Sequence, residues 1–320
     1  IVLKHDKMRT VTNYYLLNLA IADTSISIFN TAVTYKYLVY YNWTLGDEYC
    51  AFNNAMGIAP ICASVFTMIV MSIDRYWAVV HPLRNRPGRK ATVAVIVFIW
   101  FLSIILSLPA ALASYVSTYP LFDYYEEILT KSVVCLADNF IDGKGEDSTL
   151  FSWYTASLSL IQYMVPLSIL SYTYWRVGGV LNEKEYLGDV RHYRNIAAKK
   201  KASKMLSLVV AIFMIVWLPY HAYFLLFLVN PRLFGEIAMY LYINVYLIGM
   251  SSSIFNPIIY YFMNKRFRAG FKYAFRWLPF VSIDRYEYDT QLGGKCPRAL
   301  STGYSYHSTS HTHTITNTLI

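Results

Sequence analysis

The feature that most narrows the fold is the recurrence of long stretches with almost no charge. Between Ala51 and Ile73 the chain carries no Asp, Glu, Lys or Arg. Comparable runs occupy approximately residues 11–40, 47–79, 91–115, 151–181, 198–229 and 236–262. Each exceeds the roughly 20 residues that cross a ~30 Å hydrocarbon core at a rise of ~1.5 Å per residue. Prolines and glycines inside them disfavour a water-soluble helix, but neighbouring helices in a bundle can re-satisfy the backbone. Composition agrees. Charged residues make up 15% and hydrophobic residues 56%, against about 25% charged in soluble domains. The expected fold is an all-α membrane bundle.

Topology follows from the loops. Lys4, Lys7 and Arg9 precede the first run, and Asp47 and Glu48 follow it. Arg75, Arg84, Arg86, Arg89 and Lys90 lie between the second and third runs. Residues 116–150 are rich in acid, residues 182–204 in Lys and Arg, and Lys265, Arg266, Arg268, Lys272 and Arg276 follow the last run. Basic loops alternate with neutral or acidic ones, so the positive-inside rule places the basic loops and the C-terminus in the cytoplasm of a multi-pass plasma-membrane protein. The opening Ile1-Val2-Leu3 reads as the stub of a further apolar segment, so a seventh helix, largely missing from this chain, is expected before residue 1. The net charge of +9 is accounted for by topology and anionic lipid, and a nucleic-acid partner is not required.

Three regions are expected: a transmembrane bundle over 1–263, an amphipathic interfacial helix over 264–280 and a disordered cytoplasmic tail over 281–320. In "NKRFRAGFKYAFRWL" (264–278), Phe267, Phe271, Phe275 and Leu278 fall on one face and cations on the other, the pattern of a helix lying in the membrane interface. The tail holds His307, His311 and His313 without a metal-ligand spacing, and its Ser and Thr are candidate phosphoacceptors. Cys50 and Cys135 both fall on the outer side, where a disulfide between them is reasonable. Cys62 lies mid-span and reads as a packing residue. Asn42-Trp43-Thr44 is a glycosylation sequon whose closeness to the membrane disfavours occupancy.

Polar groups within spans are costly and mark function. Asp23 lies midway along the first run, and Ser64, Ser252, Ser253 and Asn256 lie mid-span elsewhere. Together their oxygens form a cation or proton site, or else a static hydrogen-bonded knot. No "HExxH", "GxSxG", glycine-rich phosphate loop or pair of intramembrane carboxylates occurs, so no catalytic or metal site is expected. An ion-coupled transporter is the remote alternative, although repeated halves are not evident.

Six motifs in order give the chain a resemblance: "NLAIAD", "DRYWAVVHP", Trp100, Pro166, "WLPYH" (217–221) and "NPIIY" (256–260). With the Cys50–Cys135 pair, residues 1 to about 280 resemble the rhodopsin-like G-protein-coupled receptors. "MRTVTNYYLLNLA", "FNTAV" and "MSSSIFNPIIYYFMNKRFRAGFKYAFRWLPF" narrow the resemblance to tachykinin (neurokinin) receptors. Asp23, Ala110, Thr155 and the absence of cysteine from "FRWLPF" depart from the vertebrate pattern and point to an invertebrate member. The alternatives on the same scaffold are receptors for RYamide, luqin or neuropeptide Y-like peptides.

The resemblance implies a seven-helix bundle that binds an extracellular neuropeptide, with an amidated terminus, and activates a heterotrimeric G protein of the phospholipase C/calcium type. Arrestin and receptor kinases at the tail and membrane lipid are the further partners implied. The implied pocket is Asn30, Tyr37, Asn53, Asn54, Tyr220, His221, Phe224, Tyr242 and Tyr246. Gly57 and Ile58 stand where amine receptors carry an aspartate, which argues against a small amine. The implied switch is Asp74, Arg75 and Tyr76 with Tyr174, Phe213, Trp217, Pro219, Asn256, Pro257 and Tyr260. Arg75 pairs with Asp74 in a closed bundle and is released when helix ends part. A charge pair there stabilises poorly but switches well. Pro219 and Pro257 supply hinges. The implied ion site, for an allosteric sodium, is Asp23, Ser64, Ser252 and Asn256; no other cofactor is expected.

Overall fold

A computed structural model describes residues 2–3, 5, 8–40, 42–81, 87–122, 128–185, 190–230, 232–283, 288 and 290–292. The uncharged runs are helices. They are α1 (Val11–Tyr40), α2 (Gly46–Val80), α3 (Arg89–Leu112), α4 (149–185), α5 (Val190–Val229) and α6 (Ala238–Met263), followed by the short α7 (Lys265–Ala274). Among the described residues, five helices are long and apolar enough to cross a membrane: α1, α2, α3, α6 and, within α5, Lys200–Val229. The serines, tyrosines and tryptophans of α4 hold it below that criterion, although it packs in the same bundle.

Local sequence sets the helix ends. The Thr10 hydroxyl caps α1 by accepting from the Asn13 amide at 3.3 Å, and Ser148 caps α4 by accepting from Phe151 at 3.0 Å. The side chain of Asn264 accepts from Arg266 at 3.1 Å and starts α7. That helix ends at Ala274, shorter than the 264–280 expected, so Phe275 and Leu278 lie in the turn after it. Beyond it the chain remains packed as far as it is described. Tyr288 stacks on Tyr273 with ring centroids 4.4 Å apart, and Leu292 is buried. Residues 293–320, most of the expected disordered tail, lie outside the described residues.

α3 shows how the bundle packs in lipid. Val93, Val97, Phe101, Ile104 and Leu108 are exposed, whereas Thr92, Ser103, Ser107 and Ala110 are buried. Small residues face the neighbouring helices and large apolar ones face outward, because lipid tails solvate Leu and Phe as well as a protein core does. α3 stops at Leu112, short of the 115 expected, because a β-hairpin begins at Ser114.

From sequence alone that hairpin reads only as an acid-rich loop. β1 (Ser114–Phe122) and β2 (Ile128–Ala137) pair antiparallel with Val116 opposite Cys135. A second, smaller pair, β3 (Asn139–Phe140) and β4 (Gly143–Lys144), follows. Cys135 is bonded to Cys50 at the start of α2, with Cα atoms 5.6 Å apart. The Val116 amide donates to Asp47 Oδ1 at 2.8 Å, and the Trp43 amide to the Val133 carbonyl at 2.7 Å. The hairpin is thus pinned across the outer mouth of the bundle.

Two π-helical turns interrupt the spans, Ser27–Thr31 in α1 and Leu160–Met164 in α4. Each inserts an extra residue per turn and re-aims the side chains that follow. They bury Asn30 in one case and Gln162 and Tyr163 in the other.

Candidate functional site

Beneath the hairpin lies a cavity of about 420 Å³. Of the pocket residues expected from the sequence, Asn30, Tyr37, Asn53, Asn54, Tyr220, Phe224, Tyr242 and Tyr246 line it. His221 does not. It is buried one layer away, with its ring stacked on Tyr163 at 4.9 Å and its Nε2 without a hydrogen-bond partner. Trp43, Asp138, Tyr223 and Phe227 also line the cavity and were missed. Helical spacing gave a signal for Tyr223 and Phe227, since they fall one turn apart beside Tyr220 and Phe224.

The amides do structural work as well as lining the wall. Asn30 Nδ2 donates to the Asn53 carbonyl at 2.9 Å, and the Tyr246 hydroxyl donates to Asn30 Oδ1 at 2.8 Å. Asn53 Nδ2 donates to Thr34 Oγ1 at 3.2 Å. Asn30 therefore ties α1 to α2 and α6. Gly57 makes room for it, since a Cβ there would stand 3.1 Å from Asn30 Nδ2. Asn54 Nδ2 donates to Ser114 Oγ at 2.9 Å and so holds the start of the hairpin.

The floor of the cavity meets the second layer. Tyr220 packs edge-on against Trp217 with centroids 5.4 Å apart. Trp217 is 2% exposed, lies 5.7 Å from the Phe213 ring and donates from Nε1 to Ser252 Oγ at 3.2 Å. Gly249 leaves space for its indole: a Cβ there would meet the ring at 3.3 Å. Met250 lines both the large cavity and a small one of about 10 Å³ that also touches Trp217, Phe213, Asp23, Ser64 and Ser252. Met250 and Tyr220 thus both stand between the outer cavity and the tryptophan layer.

Asp23 accepts from Asn256 Nδ2 at 2.7 Å and from Ser253 Oγ at 3.5 Å. Ser64 and Ser252 face the two small cavities beside the carboxylate, each of about 10 Å³, about the room one water needs. The structure therefore brings the expected ion-site residues together, while Ser252 is already engaged by Trp217. Of the three residues expected beside Asp23, Asn256 bonds to it and Ser64 and Ser252 do not. A lower layer repeats the theme: Asn18 donates to Thr67 Oγ1 at 2.7 Å and accepts from Trp100 Nε1 at 2.8 Å.

At the inner end, Arg75 Nε lies 3.9 Å from Asp74 Oδ2. Arg75 Nη2 also donates to the Thr12 hydroxyl at the start of α1, a partner that sequence reasoning did not identify. The hydroxyls of Tyr174 and Tyr260, both in the implied switch, are buried without hydrogen-bond partners. Tyr76 packs with Val79, Val177 and Leu181, its ring 5.8 Å from His81. Pro219 and Pro257 lie inside continuous helices and remove one backbone donor each. A cavity of about 160 Å³ opens here, lined by Arg75, Thr12, Ala202, Met205, Leu206 and Asn264 among others.

Outside the membrane, Asp142 accepts from Ser148 Oγ at 2.5 Å, Thr149 Oγ1 at 2.9 Å and the Leu150 amide at 2.9 Å. Those bonds, led by Ser148, hold its carboxyl down to about 2. Burial and then the charge of Asp138 push the Tyr115 phenol up to about 12. Asn42 of the sequon is exposed. Among the described residues no group of three or more His, Cys, Asp or Glu could hold a metal.

Residues 1–260 match the family model described as 7 transmembrane receptor (rhodopsin family). The chain is 38% identical over 324 residues to the human substance-P receptor, covering 100% of this chain and 75% of that receptor. It is 38% identical over 290 residues to the mouse neuromedin-K receptor, covering 90% and 61%. It is 36% identical over 286 residues to the tachykinin-like peptides receptor 99D of Drosophila melanogaster, covering 88% and 54%.

Proposed function

The chain belongs to the rhodopsin family of seven-transmembrane receptors, and from that premise we propose that it is a tachykinin-type neuropeptide receptor of the plasma membrane. It binds an extracellular peptide with an amidated terminus in the 420 Å³ cavity and activates a heterotrimeric G protein at the face that carries Arg75. The observation that carries this reading is the short path between the two. Met250 and Tyr220 line the cavity and also touch the Trp217 layer, directly or through one small void. Aromatic rings and amides suit a peptide amide and its aromatic side chains.

The switch works as a population shift. A peptide that prefers one packing of Trp217 and Met250 biases the bundle by its difference in affinity for the two packings. Asp23 with Ser64, Ser252 and Asn256 is the place where an allosteric sodium ion would add a bias toward the closed bundle. The Ser- and Thr-rich tail, cytoplasmic in this orientation, is the proposed site for receptor kinases and arrestin. The G protein proposed is the phospholipase C type.

The test is calcium release in cells expressing the full-length receptor, screened with amidated tachykinin-related, RYamide and luqin peptides. Release with the tachykinin-related peptides is expected. A response to RYamide alone would overturn the tachykinin assignment, and silence toward every peptide would overturn the peptide assignment itself.

A further inference from the structure

The cavity wall contains one charge. Among its described lining residues Asp138 is the sole ionisable acid or base of full charge at neutral pH; the rest are aromatic, aliphatic, amide or hydroxyl side chains. Asp138 directly follows β2, and two residues separate it from Cys135 of the Cys50–Cys135 bridge, so its position is fixed by the disulfide and the hairpin. Its carboxylate takes a side-chain hydrogen bond from the Tyr115 phenol, but its other oxygen is left over. Oδ1 is shielded from solvent and has no hydrogen-bond partner. Lys144, in β4, directs its ammonium over the Tyr115 ring, 4.6 Å from the centroid.

A carboxylate oxygen left dry and unpaired is unfavourable, by far more than a neutral group would be. Proteins retain such a group where something else supplies the donor. Rotation about the terminal torsion of an aspartate is soft, so either oxygen can be presented to the cavity. The surrounding wall favours the same guest. Trp43 and Tyr37 are among the aromatic lining residues, a residue type that attracts cations, and no lysine or arginine among the described lining residues repels one. The acidic region around it, with Asp142 and Asp147 in the same loop, raises the local concentration of cationic solutes.

We propose that Asp138 is a specificity-determining ligand contact, which pairs with a guanidinium or ammonium group on the bound peptide and selects basic peptides over neutral ones. This rests on the peptide-receptor reading above. It adds a charge at the hairpin end of a pocket whose other contacts are aromatic and amide in character.

The experiment uses the full-length receptor in cells and whichever amidated peptide of the screen above gives calcium release, with each arginine or lysine replaced in turn by its neutral isostere, citrulline or norleucine. In the unchanged receptor one such replacement is expected to cost about 10- to 100-fold in potency, the usual range for a charge-assisted hydrogen bond. In Asp138→Asn the parent peptide should lose a similar factor, and the same neutral replacement should cost almost nothing further. In Asp138→Lys, a peptide with glutamate at that position should outperform the parent. Surface labelling and the potency of the neutral peptide, unchanged in Asp138→Asn, separate this from misfolding. If every peptide keeps its potency in Asp138→Asn, or if the losses simply add, the pairing is refuted while the peptide-receptor reading stands. Full potency of a peptide with no basic group also refutes the pairing. Silence toward all peptides refutes both.

Discussion

Replacing Asn30 tests whether the pocket amides are ligand contacts or the bolts of the bundle. Asn30 is 4% exposed and joins α1 to α2 and α6 through the Asn53 carbonyl and the Tyr246 hydroxyl. Asn30→Ala leaves both partners without their bond. Each buried group stranded in this way costs about 1–3 kcal/mol. Both lie beside the open cavity, so water can recover part of the loss and the low end applies, giving about 2–3 kcal/mol for the pair. Tyr246→Phe removes only one of the two bonds and should cost about 1 kcal/mol. The two changes share an interaction, so the double variant should be no less stable than Asn30→Ala alone, a coupling of about 1 kcal/mol. For a protein of this size, about 2–4 °C is lost per kcal/mol, which places Asn30→Ala roughly 5–10 °C below the parent. Purified, ligand-free receptor heated with a thiol-reactive dye reports the transition, because Cys62 is free and buried. Unfolding in detergent is irreversible, so variants are compared at one heating rate. Additive losses in the double variant would refute the reasoning, because Asn30 and Tyr246 would then stabilise the bundle by separate means.

Three further outcomes follow from single contacts. Thr12→Val removes the hydroxyl that Arg75 engages; with about 1 kcal/mol withdrawn from the closed bundle, peptide-independent nucleotide exchange should rise about fivefold, and unchanged basal exchange would show that this bond does not bias the switch. Cys135→Ser removes the covalent tie between the hairpin and α2 and should weaken peptide binding at least about tenfold in a radioligand assay; unchanged affinity would show that the bridge does not shape the pocket. Asp142 has a folded-state carboxyl held down to about 2, below the ordinary value near 4. Its support for the start of α4 is therefore complete above about pH 4 and is lost as the pH falls toward about 2, which hydrogen exchange at the Leu150 amide should follow, whereas Asp142→Ala should show fast exchange at every pH.

Charge and hydropathy were enough to locate the spans, because a bilayer imposes one requirement on every crossing helix: cover about 30 Å without unpaired charge. The positions of Asn30, Tyr220, Tyr242 and Tyr246 around one cavity were legible through the motifs next to them. His221 was misplaced by the same route, since one residue after Tyr220 turns it about 100° around the helix, off the cavity wall and onto Tyr163. The π-turn that buries Asn30 left no mark in the sequence, because one extra residue in a turn changes no composition and only slightly shifts periodicity. The hairpin was missed although "SYVSTYPLF" and "KSVVCLA" carry the β-branched and aromatic residues of strands. Counting its acids obscured them. Thr12 could be found only in three dimensions, since 63 residues separate it from Arg75.

The polar bonds also decide which helix moves. α6 is held to α1 at two depths, by Tyr246 on Asn30 and by Asn256 and Ser253 on Asp23. α1 is held to α2 and α3 through Asn18, Thr67 and Trp100. These four helices form one stitched unit. α5 is attached differently. Its polar ties include Tyr163 to the Met214 carbonyl, Trp217 to Ser252 and Tyr223 to the Ala238 carbonyl, which lie from Met214 outward. Between Met205 and Phe213, its buried residues Met205, Leu206, Val209, Val210 and Phe213 pack in the apolar core. In lipid that packing has no hydrophobic drive behind it, because acyl chains replace the lost contacts. The inner half of α5 is therefore the least costly part of the bundle to swing, and Pro219 weakens the backbone just above it. Such a swing widens the cavity lined by Arg75, Met205 and Leu206 and brings Arg75 within the choice of two buried phenols that have no partner, Tyr174 and Tyr260. Spin labels at Lys201 and at the inner end of α2 should accordingly separate by several ångströms when peptide is added. Labels on the inner ends of α1 and α2 should keep their distance. Equal displacement of both pairs would mean that the polar stitches do not define a rigid unit.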